Sequence, residues 1–218
     1  MTGPRKRVGV LISGRGSNMQ ALIAACRAPD YPAEIVLVVS NRPGAPGLAH
    51  AEAAGIATQT VDHKAFATRE AFETELDGAL RAAQVEIVCN AGFMRLLTGW
   101  FVERWRDRQL NIHPSLLPAF KGLDTHQRAI AAGVRIAGCT VHFVRTEMDA
   151  GPIVAQAAVP VRADDTPDTL AARVLEAEHE IYPLALRLVA SDEAKVEGER
   201  VVLRETGAPG TGLISPTL

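Results

Sequence analysis

The chain has 218 residues, 47% hydrophobic and 22% charged, the composition of a globular protein of one domain or two closely fused halves; a third domain is excluded by length. With 23 basic and 25 acidic side chains the net charge is −2, which provides no broad positive field for nucleic acid or an anionic membrane surface. Cys26, Cys89 and Cys139 form no CxxC pair, so a disulfide scaffold is excluded and buried, reduced thiols are expected.

The apolar run Val8-Gly9-Val10-Leu11-Ile12 is too short for a signal-peptide core or a membrane span, so the cytoplasm is the expected location. Further along, short β-branched runs alternate with segments of helical spacing, the pattern of βαβ units and a mainly parallel sheet. Residues 7–13 read as the first strand and lead into Gly14-Arg15-Gly16-Ser17-Asn18, after which Met19, Leu22, Ile23 and Cys26 recur at helical spacing. Residues 34–40 read as a strand, 45–54 as a helix and 57–61 as a short strand. A long amphipathic helix is predicted over 68–83, with Thr68 as N-cap and Ala71, Phe72, Leu76 and Leu80 on its apolar face.

Residues 85–90 are apolar enough for a strand buried on both faces, and Gly92 to Leu97 lead out of it. A fifth strand carries Leu110, Asn111 and Ile112 into His113, and Pro114 and Pro118 make 113–122 a structured loop. A helix at 125–132 precedes strands at 137–144 and 153–161, read as a pair separated by an eight-residue loop. Thr166 opens the last long helix, which runs to about 190, and residues 207–218 read as a flexible tail.

Two stretches stand out for chemistry. The Gly14 to Asn18 turn lacks the third glycine of GxGxxG, replaced by Met19, and lacks the GK[ST] of a nucleoside-triphosphate loop. It keeps glycines that let backbone amides approach a ligand, followed by a helix start that favours a phosphate, so Gly16, Ser17 and Asn18 are candidate monophosphate ligands. The plainer alternative is a tight βα turn with Ser17 or Asn18 as helix cap. In the second stretch, Asn111 and His113 lie two apart on a strand and project to one face, at the edge where open α/β sheets bind ligands. The alternative is that both satisfy loop carbonyls. Asp149 decides if its loop folds back, because a carboxylate beside the imidazole favours the protonated ring; otherwise that loop is a surface connection.

Together with Asn90-Ala91-Gly92-Phe93-Met94-Arg95, Asn111-Ile112-His113-Pro114-Ser115-Leu116-Leu117-Pro118, and Thr140-Val141-His142-Phe143-Val144 followed by Asp149-Ala150-Gly151-Pro152, the glycine turn closely resembles the phosphoribosylglycinamide formyltransferase family of purine biosynthesis, from residue 7 to about 204. The resemblance implies a Rossmann-like α/β fold: an open, mainly parallel twisted sheet with helices on both faces and an antiparallel strand pair in the C-terminal half. It implies one domain over 1–206, its halves at about 7–106 and 107–206.

By the same resemblance Asn111, His113 and Asp149 are the catalytic trio. Gly16, Ser17 and Asn18 cradle the sugar phosphate, and Glu178 contacts the glycinamide substrate. Arg69, Met94, Arg95, Leu96 and Leu97, with Asn111, bind the folate, and the 145–149 loop closes over the pterin. The implied reaction passes a formyl group from 10-formyltetrahydrofolate to the amine of 5-phosphoribosylglycinamide, by acyl transfer without a covalent enzyme intermediate. The implied partners are these small molecules, with no nucleic acid and no membrane, and a homodimer is an assembly the resemblance allows. Leu175 departs from the polar residue expected near the ribonucleotide.

His126, His142 and His179 lack metal-ligand spacing, so no metal is expected; His142 is read as packing near the site. Trp100 and Trp105 are read as helix-packing residues and Lys121 as a solvated loop lysine, the alternative being that it assists substrate binding. The rival functions are a formyltetrahydrofolate deformylase, a formyltransferase with another amine acceptor, a nicotinamide-binding oxidoreductase resting on Gly14, Gly16 and Glu34, and a non-catalytic nucleotide sensor.

Overall fold

A computed structural model describes residues 4–204 and the backbone of 214–215. The chain divides between Asn111 and Ile112 into two compact units.

The first unit holds strands β1 (Lys6–Ile12), β2 (Ala33–Ser40), β3 (Ala57–Thr60), β4 (Ile87–Asn90) and the start of β5 (Gln109–His113). They stand in the order β3-β2-β1-β4-β5, every neighbouring pair parallel. Strand side chains alternate between faces. On one face Leu11, Leu37, Val39 and Val88 pack with Phe72, Leu76 and Leu80 of α3 (Arg69–Ala82) and with Phe101 and Trp105 at α4 (Gly99–Arg104). The alternate residues Val8, Val10, Ile12 and Val38 are equally buried, and α1 (Ser17–Cys26) and α2 (Pro46–Ala53) pack against β2.

Helix α3 starts as expected, with the Thr68 hydroxyl accepting from the Ala71 amide 3.1 Å away. Its buried face differs from the reading of the sequence. Ala71 is exposed, whereas Glu73 and Asp77 are buried among the apolar residues. Glu73 accepts from the Thr98 amide (2.7 Å) and hydroxyl; Asp77 accepts from Arg104 Nε (2.6 Å) and Trp105 Nε1 (3.1 Å). Both acids serve to dock α4, a six-residue helix too short to show a period in the sequence. Trp105 is buried as expected, but Trp100 is exposed, with Arg104 over its ring at 5.5 Å and the Phe101 ring tilted beside it at 6.5 Å.

The second unit carries the expected antiparallel pair, β6 (Ile136–Phe143) and β7 (Ile153–Pro160), with α5 (Thr125–Ala131) and the 24-residue α6 (Pro167–Ala190). Thr166 and Thr169 close a reciprocal cap at the start of α6, which packs on β6 and β7. A small antiparallel pair, β8 (Ala194–Glu197) and β9 (Arg200–Leu203), was not visible in the sequence, because four-residue strands of mixed polarity carry no apolar run. The tail expected to be flexible at 207–218 lies outside the described residues, apart from the backbone of β10 (Ile214–Ser215) beside β7. An α/β fold with a mainly parallel sheet and an antiparallel pair is the architecture observed.

Candidate active site

In the first unit the sheet order reverses at β1: the chain winds to β2 and β3 on one side, then crosses to β4 and β5 on the other. Open α/β sheets bind ligands at the carboxyl ends of strands flanking such a reversal. The segments that follow β1 and β4 are the Gly14 to Asn18 turn and residues 91–97.

Gly16 is the N-cap of α1 in the left-handed conformation (φ 70°), and no side chain caps the helix. Ser17 and Asn18 are therefore the first helical residues rather than caps, and the amides of the turn are not consumed by a local side chain. Gly47 backs the turn: its amide donates to the Gly14 carbonyl (3.0 Å). A Cβ at Gly47 would fall 2.6 Å from Ile12 Cδ1 and 2.9 Å from that same carbonyl. Only glycine lets α2 approach so closely, a requirement invisible without the tertiary packing.

Beyond β4, Met94 and Leu96 expose 59% and 60% of their surface, while Leu97 is half-buried. Between them Arg95 has a buried Nε with no hydrogen-bond partner. Exposed apolar side chains beside an orphaned donor fit a flat, partly apolar ligand carrying an acceptor. Arg69, exposed at the first position of α3, lies one turn ahead of the Glu73 that fixes Thr98. Asn111 of β5 pairs in register with Asn90 of β4.

In the second unit His113 ends β5, and its Nδ1 lies 3.4 Å from Asp149 Oδ2, with side chains only 7% and 9% exposed. Nε2 faces the Phe120 carbonyl at 3.1 Å. Both ring nitrogens thus meet acceptors, and only the doubly protonated ring donates to both. The same Asp149 oxygen accepts from the Gly122 amide (2.9 Å), while Oδ1 lies 3.9 Å from His142 Nε2. Asp149 does fold back. It sits in a left-handed turn (φ 52°), and Gly151 permits that turn because a Cβ there would fall 1.7 Å from the Phe143 carbonyl oxygen.

His142 is buried, its Nδ1 donating to the Phe143 carbonyl (2.9 Å); burial holds this imidazole below its ordinary pKa, partly opposed by that bond and by Asp149. The 113–118 loop is pinned by Thr140, whose hydroxyl donates to the Ser115 carbonyl (2.7 Å) and accepts from the Leu117 amide (3.1 Å). Lys121 pairs with Glu147 at 2.8 Å. Glu178 is buried in α6, one turn from Val174 and from Tyr182, an acid in an apolar stripe. Leu175 is half-buried on the same helix. Among the described residues no group of three His, Cys, Asp or Glu side chains is arranged to hold a metal ion, and no helix is long and apolar enough to cross a membrane.

A formyl transferase profile matches residues 6–186. The chain belongs to the formyl transferase family. It is 46% identical over 187 residues to the phosphoribosylglycinamide formyltransferase of Escherichia coli (strain K12), covering 86% of this chain and 88% of that one. It is 54% identical over 190 residues to the trifunctional purine biosynthetic protein adenosine-3 of Gallus gallus, covering 87% of this chain but 19% of that much longer protein. Among solved structures, glycinamide ribonucleotide transformylase 1 from Symbiobacterium toebii superposes with a TM-score of 0.90 at 46% identity, covering 92% of this chain and 95% of that one. The chain therefore shares sequence with the Escherichia coli protein and fold with the Symbiobacterium toebii protein, whose names carry the same acceptor.

Proposed function

We propose that the protein transfers the formyl group of 10-formyltetrahydrofolate to the amine of 5-phosphoribosylglycinamide. The reading rests above all on the buried His113 and Asp149 pair, 3.4 Å apart, two residues beyond Asn111 on β5. It is supported by the names of relatives that cover 86% and 92% of the chain.

On this reading Gly16, Ser17 and Asn18 hold the phosphate, and Glu178 receives the glycinamide part. Arg69, Met94, Arg95, Leu96 and Leu97 hold the folate. Phosphate and pterin anchoring then bring the amine to the formyl carbon, which supplies much of the rate by positioning alone. As the amine attacks, negative charge gathers on the formyl oxygen. Asn111 donates a neutral hydrogen bond to it, worth on the order of 10²- to 10³-fold. His113 donates from Nε2, exchanging the Phe120 carbonyl for the developing oxyanion as acceptor, worth on the order of 10²- to 10⁴-fold. Asp149 holds the ring at Nδ1 and, through water, receives the proton lost by the amine. The carbon–N10 bond then breaks as N10 takes up that same proton, returned from Asp149 through the water, so one C–N bond forms as another breaks with no net gain or loss of protons. His142 Nε2 lies 3.9 Å from the other Asp149 oxygen.

The partners are small molecules and the compartment is the cytoplasm on this reading, residues 1–206 working as one domain and a homodimer being the assembly to test by light scattering. Incubation with both substrates is expected to yield formylglycinamide ribonucleotide and tetrahydrofolate, and neither when one substrate is omitted. Formate released without the ribonucleotide would instead mark a deformylase. His113→Ala and Asp149→Asn are expected to lower turnover by about 10²- to 10⁴-fold with folate affinity nearly unchanged. Retention of more than about a tenth of turnover by both would remove the assigned roles.

A further inference from the structure

The two ligand segments of the first unit are joined by one residue that the functional reading leaves unused. Ser13 lies between the end of β1 and the glycine turn and is 5% exposed. Its amide donates to the Gly92 carbonyl (3.1 Å), and its hydroxyl accepts from the Met94 amide (2.8 Å). The hydroxyl proton goes to Asn41 Oδ1 at 2.6 Å, and Asn41, just past β2, is 1% exposed. His63 Nδ1 in turn lies 2.8 Å from the Asn41 carbonyl. A run from the Met94 amide through the Ser13 hydroxyl to the Asn41 amide group therefore ties together the carboxyl ends of β4, β1 and β2. Each member polarises the next, and none can be removed without leaving a buried polar group unpaired.

We propose that Ser13, held by Asn41, is a positioning residue that couples the Gly14 to Asn18 turn to residues 94–97, so that a ligand on one segment is felt at the other. The proposal deepens the assignment of the phosphate to the first segment and the folate to the second. Ser13 does not touch the reacting atoms. Its hydroxyl sets where the Met94 amide sits, and its own backbone opens the phosphate turn one bond later. A rigid link across the sheet's reversal point is what lets two loops from different strands present one ligand surface.

The test uses the whole chain and inorganic phosphate as the probe of the turn. In ¹⁵N-resolved spectra of the wild type, phosphate is expected to shift the amides of 16–18 and, through Ser13, those of 94–97. In Ser13→Ala the shifts at 16–18 remain while those at 94–97 disappear, and the Met94 amide exchanges with solvent at least about tenfold faster. Asn41→Ala behaves alike and serves if Ser13→Ala does not fold. Asn41→Asp, which keeps an acceptor for the Ser13 hydroxyl, restores the response. With substrates, Ser13→Ala raises the KM for 10-formyltetrahydrofolate about tenfold and leaves kcat within about twofold. Equal responses at 94–97 in wild type and both alanine variants would overturn the coupling, as would a wild type with no response there. Failure of the wild type to transfer formyl would count against the proposed function alone, since the phosphate titration needs no turnover.

Discussion

At Gly47 the missing side chain is what lets α2 close on the Gly14 to Asn18 turn. Gly47→Ala places a methyl group against Ile12 and the Gly14 carbonyl, and one of them must move. We expect a loss of about 1–3 kcal/mol of stability, as for other overpacked sites, and a weaker affinity for the ribonucleotide. Calorimetric titration read beside a denaturation curve checks both; unchanged values would mean that the turn tolerates the displacement. Asp149 belongs to the same scale. Its value to His113 comes from its backbone, a left-handed residue held between Gly122 and Gly151, rather than from its neighbours in sequence.

Among the elements, α3 and α4 show how a short helix is secured by polar groups. Residues 99–104 give α4 a single buried apolar pair, Phe101 and Val102, and its remaining hold on α3 comes from Glu73 and Asp77. Asp77→Ala leaves the Trp105 indole N–H buried without an acceptor, and a loss of about 1–3 kcal/mol is expected, the Arg104 share being reduced by that side chain's exposure. Asp77→Asn keeps an acceptor for the indole and should lose less. Urea denaturation of the two variants separates them. The register of α3 was legible from Phe72, Leu76 and Leu80, but its buried acids were not, because a charge on an apolar face carries no sign of the partner that neutralises it.

For the whole molecule, the pH dependence of stability follows from its buried histidines. Burial lowers the pKa of His142, and also of His126 and His179, below the ordinary value near 6.5. The unfolded chain then binds protons more readily than the fold as pH falls below about 6.5, so stability present above that value is lost progressively on acidification. Glu86 has the opposite origin, since the Arg7 amide and Lys6 hold its carboxyl below 4.5, and its contribution is lost only at lower pH. Melting temperatures between pH 7.5 and 5 should therefore fall, with a shallower slope in His142→Asn. A flat profile in the wild type would contradict the assignment.

Apart from α4, β8 and β9, the strand and helix succession, the two long helices with their threonine caps, and the resemblance to the family were legible in the sequence alone, because apolar periodicity, capping residues and the short motifs around Gly16, His113 and Asp149 are local properties of the chain. Only the tertiary structure decided that Asp149 returns to His113, that Gly47 underlies the Gly14 to Asn18 turn, and that Ser13 and Asn41 bind the ends of three strands together. Those pairs are separated by 28 to 36 residues, and a contact across such a distance is set by strand order and loop path, which no local pattern encodes.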